Sequence, residues 1–327
     1  QIERLMRYAP ESAGGRMIPR YVAVAQHATV GEAIRAVRQA PAEVPLFYLY
    51  VVDDAERLVG VTSLSRLVRS QDETPIASLI DRQVVSVPPE ADQEEVARLV
   101  SRMNLLAIPV VEEGQLLGLI TVDDVIDVLE QEATEDMYNM AGLSEGDRVF
   151  SPPHRSLIKR LPWNTLNLVT SILAALVIAR FQSTLDKLLA LTIFMPVVAD
   201  LGGNTGNQTL TVIIRGITLG ELQFSSAMRA LAKEISVGLG IGLLLGATVA
   251  LIAYVWVGNP MLGLVAGLAI VANLFVAALV GTAIPLTLKR FGQDPALGGS
   301  ILVTMCTDVF GFFVFLGLAA LFMQHLL

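Results

Sequence analysis

Nine acidic side chains sit where carboxylates could handle a cation. Seven fall in one stretch, Asp123, Asp124, Asp127, Glu130, Glu132, Glu135 and Asp136, with no basic residue among them. Written as a helix, Asp123/Asp127, Asp124/Asp127, Glu132/Glu135 and Glu132/Asp136 are neighbours that repel. A solvated helix face normally interleaves the signs. Hard oxygen ligands at this density suit Mg²⁺ or Ca²⁺, and a dication would turn the repulsion into a cross-link. The competing reading is an acidic solubilising face. The other two, Asp200 and Asp308, lie about halfway through long apolar runs. A carboxylate at membrane depth, with no basic partner in its run, implies water, a proton or a bound cation.

Each lone carboxylate has polar company. Thr304, Asp308 and Gly311 follow i, i+4, i+7 spacing, with Ser300 one turn earlier. That makes a hydroxyl and carboxylate stripe on one helix face, suited to lining a cation path. Asp200 opens DLGGNTGNQT, where Asn204 and Gln208 are one turn apart. Asn204 and Gln208 either line the same path or bond to a neighbouring helix. Gly202, Gly203, Gly206 and Thr209 either break or tighten the helix beside the path or let helices pack closely.

The elements that must position these groups follow from composition. The 327 residues are 53 % apolar, with a mean hydropathy of +0.59. Residues 1–150 carry 25 acids against 13 arginines and no lysine, a net of −12. Residues 151–327 carry 6 acids against 10 lysines and arginines, a net of +4. An acidic soluble head is therefore joined to a membrane domain. Such a head disfavours nucleic acid and anionic lipid as partners and suits cations. The one cysteine, Cys306, permits no internal disulfide. The chain begins at Gln1 without a signal peptide, and a longer protein with further N-terminal sequence is expected.

A bilayer needs about 20 apolar residues per helix. Five runs qualify: Leu161–Phe181, Leu188–Ile214, Ile235–Val257, Met261–Leu288 and Ile301–Leu327. An odd number places the two chain ends on opposite sides of a multi-pass membrane protein. Eight basic residues (Arg155, Lys159, Arg160, Arg215, Arg229, Lys233, Lys289 and Arg290) lie on one side and two (Arg180 and Lys187) on the other. That asymmetry puts the acidic head in the cytoplasm and Leu327 outside.

The head is a tandem repeat of about 60 residues. VAVAQHATVGEAIRAV (22–37) matches VSVPPEADQEEVARLV (85–100), and YVVDDAERLVGVTSLSRLV (50–68) matches PVVEEGQLLGLITVDDVIDVL (109–129). Each copy reads strand, helix, strand, acidic turn, strand, helix, with Ala33, Ile34, Val37 and Val96, Leu99, Val100 on the core faces. The unit resembles a pair of CBS domains. That resemblance implies an adenine nucleotide such as ATP held through Thr121 and Asp124. The first copy departs from the pattern, with Leu64 and Ser65 where the acid is expected.

Taken together, the CBS pair, the acidic helix, PVVADLGGNTGNQTLTVIIRG and TDVFGFFVFLGLA resemble the MgtE family of magnesium channels. The likeness covers nearly the whole chain and includes the DPA of Asp294–Ala296. YAPESAGGRM (Tyr8–Met17) looks like the family's junction with a preceding helical domain. The fold implied is an α/β tandem CBS pair joined by a long connecting helix to an all-α, five-helix membrane domain. The boundaries expected are 1–17 for a remnant of the preceding domain or a linker, 18–75 and 76–135 for the CBS domains, 128–160 for the connecting helix, overlapping the end of the second CBS domain, and 161–327 for the pore domain. The resemblance implies a homodimer with the pore between subunits, lined by the second and fifth spans. Asp308 matches the pore carboxylate that holds hydrated Mg²⁺. Asp124, Asp127, Glu132, Glu135 and Asp136 best match a cytosolic sensor that closes the pore at high Mg²⁺. Asp200 departs from the family pattern.

Two enzyme classes are excluded on motif. The flanks VADLGG and CTDVFG lack the patterns of intramembrane aspartyl proteases, and His27, His154 and His325 form no H-E-x-x-H. A Mg²⁺ carrier coupled to Na⁺ or H⁺ remains the alternative to a channel, because both use the same carboxylates.

Overall fold

The computed structural model describes residues 7–143 and 146–326. The chain divides into two compact units between Ala133 and Thr134.

In the first unit the repeat is visible in the backbone. The first copy holds β1 (Ala23–Ala25), α2 (Val30–Gln39), β2 (Tyr48–Val52), β3 (Leu58–Ser63) and α3 (Leu64–Arg69), after a short helix α1 (Ala13–Arg16). The second holds α4 (Gln93–Met103), β4 (Ala107–Glu112) and β5 (Gln115–Thr121), and runs into α5 (Val122–Met140). β1 pairs parallel with β2, and β2 antiparallel with β3. β4 and β5 form the matching antiparallel pair. The counterpart of β1 shrinks to a parallel bridge between Val87 and Val110, because Pro88 and Pro89 follow and have no N–H to extend a ladder. Both hairpins carry a bulge at the same place. Register slips between Val51 and Val52 and between Val110 and Val111, leaving Val59 and Leu117 as the extra residues.

Helix starts follow their capping chemistry. Thr29 and Glu32 form a capping box on α2, and Asp92 caps α4. Ala33, Val96 and Val100 are buried as the spacing requires, with Ile34, Val37 and Leu99 packed beside them. One boundary differs from expectation. Ala13 and Met17, assigned above to a remnant of another domain, complete the core of the second copy with Val96, Ala97 and Val100. Their strip is tied there by the Ile18–Leu119 bridge.

The connecting helix expected over 128–160 is two helices. α5 stops at Met140, and α6 (Pro153–Arg180) starts afresh. Gly142 and Gly146 lie at φ 65° and 77°, and Pro152 and Pro153 stand at the N-cap and first position of the new helix, where a missing N–H costs nothing. The second unit continues with α7 (Gln182–Lys187), α8 (Leu191–Thr218), α9 (Ala227–Val257), α10 (Pro260–Arg290), α11 (Gly299–Leu321) and α12 (Met323–Leu326). Among the described residues four segments are both long and apolar enough to cross a membrane, namely Pro153–Arg180, Phe224–Val257, Pro260–Arg290 and Gly299–Leu321. α8 has the length, about 42 Å at ~1.5 Å per residue, but its polar run lowers its hydropathy. α10 is the central helix of the unit, packed against α8, α9 and α11. It meets α9 through facing glycines: a Cβ on Gly246 would lie 2.8 Å from the carbonyl oxygen of Gly267, and the reverse holds too. Such contacts bring backbones together where lipid supplies no hydrophobic drive.

Candidate cation path and acidic sensor

α8 is two-faced. Gly202, Gly203, Thr205, Gly206, Thr209 and Leu210 are buried, whereas Asp200, Asn204 and Gln208 are exposed in a row one turn apart. The buried glycines are packing positions: a Cβ on Gly206 would strike Val303 of α11, and one on Gly202 would strike Asn273 of α10. Asn204 and Gln208 make no interhelical hydrogen bond among the described residues, so the bonding alternative is not met within one chain.

α11 runs beside this helix. A Cβ on Gly203 would sit 3.9 Å from Thr304 Oγ1. Thr304 and Asp308 are half-buried. Thr307 is fully buried, and its hydroxyl donates to the carbonyls of Val303 and Thr304 at 3.1 and 3.0 Å. Gly311 corrects the sequence reading. It is buried against the Asn273 carboxamide and does not line an open face. Helical spacing put it on the stripe, but α10 covers it.

The acidic stretch spreads around α5, and among the described residues no three His, Cys, Asp or Glu groups converge on one point. Asp123, Asp127 and Glu130 are exposed at i, i+4, i+7 positions, which share a face. Asp124 turns inward locally, accepting the Thr121 hydroxyl at 2.5 Å. Both proposed nucleotide contacts are thus bonded to each other. Glu132 accepts from Gln93 Nε2 at 2.7 Å, and Gln93 in turn accepts from Arg16 Nε at 2.9 Å. The stretch lacks a base in sequence, yet Arg16 supplies one from 115 residues away by bonding Gln131. Glu135 is half-buried.

Asp136 and Asp294 form a pair that the linear reading missed. Asp136 accepts from Thr218 Oγ1 at 3.0 Å, and Asn139 donates to Asp294 Oδ2 at 2.6 Å. Burial pushes the Asp136 carboxyl above its ordinary range, the Thr218 bond opposes this, and the negative charge of Asp294 adds to it. A proton or a cation would relieve that repulsion. The DPA motif had flagged Asp294, but only the fold puts it opposite α5.

Two further acids escaped notice because their partners are distant or lie in loops. Asp147, in the break between α5 and α6, accepts from Ser156 at 2.6 Å and from Arg160 Nε at 2.7 Å. These bonds hold its carboxyl below the usual range. Glu234, at the start of the third span, is buried and accepts from Lys233 at 2.5 Å and from Thr209 of α8 at 3.3 Å.

Known proteins match both units. The CBS domain model matches residues 13–73 and 76–131, and the MgtE model, described as a divalent cation transporter, matches 195–318. A magnesium transporter MgtE of Thermus thermophilus is 40 % identical over 99 % of this chain and 73 % of its own length. The Bacillus subtilis protein of that name is 35 % identical over 99 % and 72 %. A crystal structure of the cytosolic domain of the Mg²⁺ channel MgtE in complex with ATP aligns at TM-score 0.38 and 46 % identity, covering 39 % of this chain and 52 % of that one. With identity sustained over nearly its full length, this chain of a CBS pair and apolar helices belongs to the MgtE family of magnesium transporters, membrane proteins that are not enzymes.

Proposed function

We propose that the chain forms a homodimeric channel that admits Mg²⁺ across the cytoplasmic membrane, and that cytosolic Mg²⁺ bound at the acids of α5 closes it. One observation carries the reading. Asp200, Asn204 and Gln208 form an outward polar row on a helix packed among apolar spans. Facing lipid, such a row is costly. Facing a second copy across a wet path, it is satisfied. A two-fold axis along that path would present two Asp308 side chains to one ion. Mg²⁺ dehydrates reluctantly, so two carboxylates contacting its retained waters suffice to hold it.

The basic residues on one side of the spans support a cytoplasmic head and an outside C-terminus. On α5, Asp123, Asp127 and Glu130 share a face, while Asp136 meets Asp294. Dications neutralising these groups would favour close packing of α5, and their loss would restore repulsion and open the path. ATP at the CBS pair belongs to the proposal. Thr121 and Asp124 would exchange their mutual bond for bonds to the nucleotide.

Single-channel recording with Mg²⁺ as the permeant cation tests this, with cytosolic Mg²⁺ stepped from micromolar to millimolar. Unitary currents that shut as Mg²⁺ rises are expected. Slow uptake without unitary current, driven by a Na⁺ or H⁺ gradient, would make it a carrier. Asp308→Ala is expected to abolish flux, and flux at the parent's level would remove Asp308 from the path.

A further inference from the structure

Asn273, near the middle of α10, is fully buried. Its Nδ2 donates to the carbonyl of Val198 on α8 at 2.9 Å. Its Oδ1 has no donor among the described residues. The bond fixes the amide's orientation, because turning it over would set two carbonyl-type oxygens against each other. Two glycines make the slot it fills. A Cβ on Gly202 of α8 would collide with the carboxamide, and one on Gly311 of α11 would lie 2.6 Å from Nδ2 and 3.1 Å from Oδ1. Val198 comes two residues before Asp200, and Gly311 three after Asp308. One carboxamide therefore touches both acid-bearing helices within a turn of their carboxylates.

Stability alone does not explain an asparagine here. Leucine has the same branching and would bury no unpaired oxygen, which is costly in a dry interior, but it is bulkier. Leucine cannot bond the Val198 carbonyl. Nor can its tetrahedral end lie flat between two glycine backbones as a planar amide does.

We propose that Asn273 is the spacer that sets the separation of α8 and α11 at the level of Asp308, and hence the width of the path there. The spacing rests on geometry within one chain. Its consequence for flux rests on the reading that these helices line the path. Asn273 is a positioning residue and touches no ion.

The test is a double-mutant cycle in the full chain, reconstituted in liposomes, with Mg²⁺ uptake normalised to inserted protein. Gly311→Ala puts a methyl group into the carboxamide, so the amide or α11 must give way, and on this proposal α11 moves. It is expected to raise the half-saturating Mg²⁺ concentration about tenfold, equivalent to ~1.4 kcal/mol. Asn273→Ala empties the slot, so N273A/G311A is expected to return to within about threefold of the parent. A pair no better than the worse single variant overturns the proposal. So does a cycle in which only the inserted amount changes, since that is what a purely structural role produces. Asn273→Ser replaces Asn273→Ala should the latter insert too poorly to measure.

A second readout does not depend on flux. In a Cys306→Ala background, Gly203→Cys and Thr304→Cys report the α8–α11 separation by their rate of disulfide formation. Gly311→Ala should slow that cross-link and N273A/G311A should restore it. Failure of this rescue sinks the spacer. Undiminished flux in Asp308→Asn, with the rescue intact, sinks instead the reading of the path.

Discussion

Replacing Arg66 with aspartate should supply a hydrogen bond that the first repeat lacks. In the second repeat the Thr121 hydroxyl donates to Asp124 at 2.5 Å, and the Thr121 N–H reaches the same oxygen at 3.4 Å. The strand register makes Ser63 and Arg66 the counterparts of that pair, since Tyr48 lies opposite Ser63 as Ala107 lies opposite Thr121. The Ser63 hydroxyl pairs instead with that of Ser65 at 3.0 Å, and Arg66 donates to the Leu79 carbonyl at 3.3 Å. A hydrogen bond to a carboxylate is worth ~1.5–3 kcal/mol. A carboxylate in the first turn of α3 adds ~0.3–1 kcal/mol through the helix dipole. Loss of the two exposed bonds costs ~1 kcal/mol. The net gain is ~1–3 kcal/mol, or roughly 3–12 °C in the melting of a unit this size.

Calorimetry of the detergent-solubilised chain with Arg66→Asp measures that shift, and a lower transition would refute the reasoning. Two companion variants separate the hydroxyls. Thr62, the counterpart of Ile120, is 2 % exposed and its Oγ1 has no partner among the described residues, so Thr62→Val should be neutral or stabilising. Thr121→Val breaks a made bond and should cost ~1–3 kcal/mol. Equal losses from the two valine variants would show that the Thr62 hydroxyl is already satisfied.

Neutralising Glu132, Glu135 and Asp136 together should leave the path open at millimolar cytosolic Mg²⁺, and patch recording that shows closure at the parent's concentration counts against the sensor. Burial holds the Asp136 carboxyl above its ordinary pKa in the folded chain, so ionising it costs stability, and that cost fades as pH falls through the raised pKa. Asp136→Asn should therefore raise the melting temperature at pH ~7.5 in chelator and lose that advantage below the ordinary Asp pKa of ~4. A destabilised variant at the higher pH would reverse the sign. Glu234→Ala strips partners from Lys233 and Thr209 and should cost ~1–3 kcal/mol, read as a lower melting temperature in detergent with Asp308 untouched.

What was legible in sequence was whatever repeats or alternates. The two-copy period gave the hairpins, and even their shared bulge follows the one pattern. The polar row of Asp200, Asn204 and Gln208 was visible because four-residue spacing survives on any helix. Contacts between distant elements were not visible. Asn273 is one polar residue in a 31-residue apolar helix, and nothing local distinguishes it from a surface position until Gly202 and Gly311 close on it. Gly311 misled for the converse reason, since spacing alone does not say which neighbour covers a face. The connecting helix was expected over 128–160 because that stretch runs from the second copy of the repeat to the first apolar run. Gly142, Gly146 and two prolines overruled it.

That break has a mechanical consequence. Tyr138 of α5 donates to the Asp147 carbonyl at 2.7 Å, while Ser156 and Arg160 of α6 grip the Asp147 carboxylate. Both helices are thus tied to one residue of the break. With α6 about 42 Å long at ~1.5 Å per residue, a tilt of about 2° at the break sweeps its far end through ~1.5 Å. α6 packs along α11, the helix of Asp308. Asp147→Ala would remove both α6 ties, from Ser156 and Arg160, while leaving Asp308 and the acids of α5 in place.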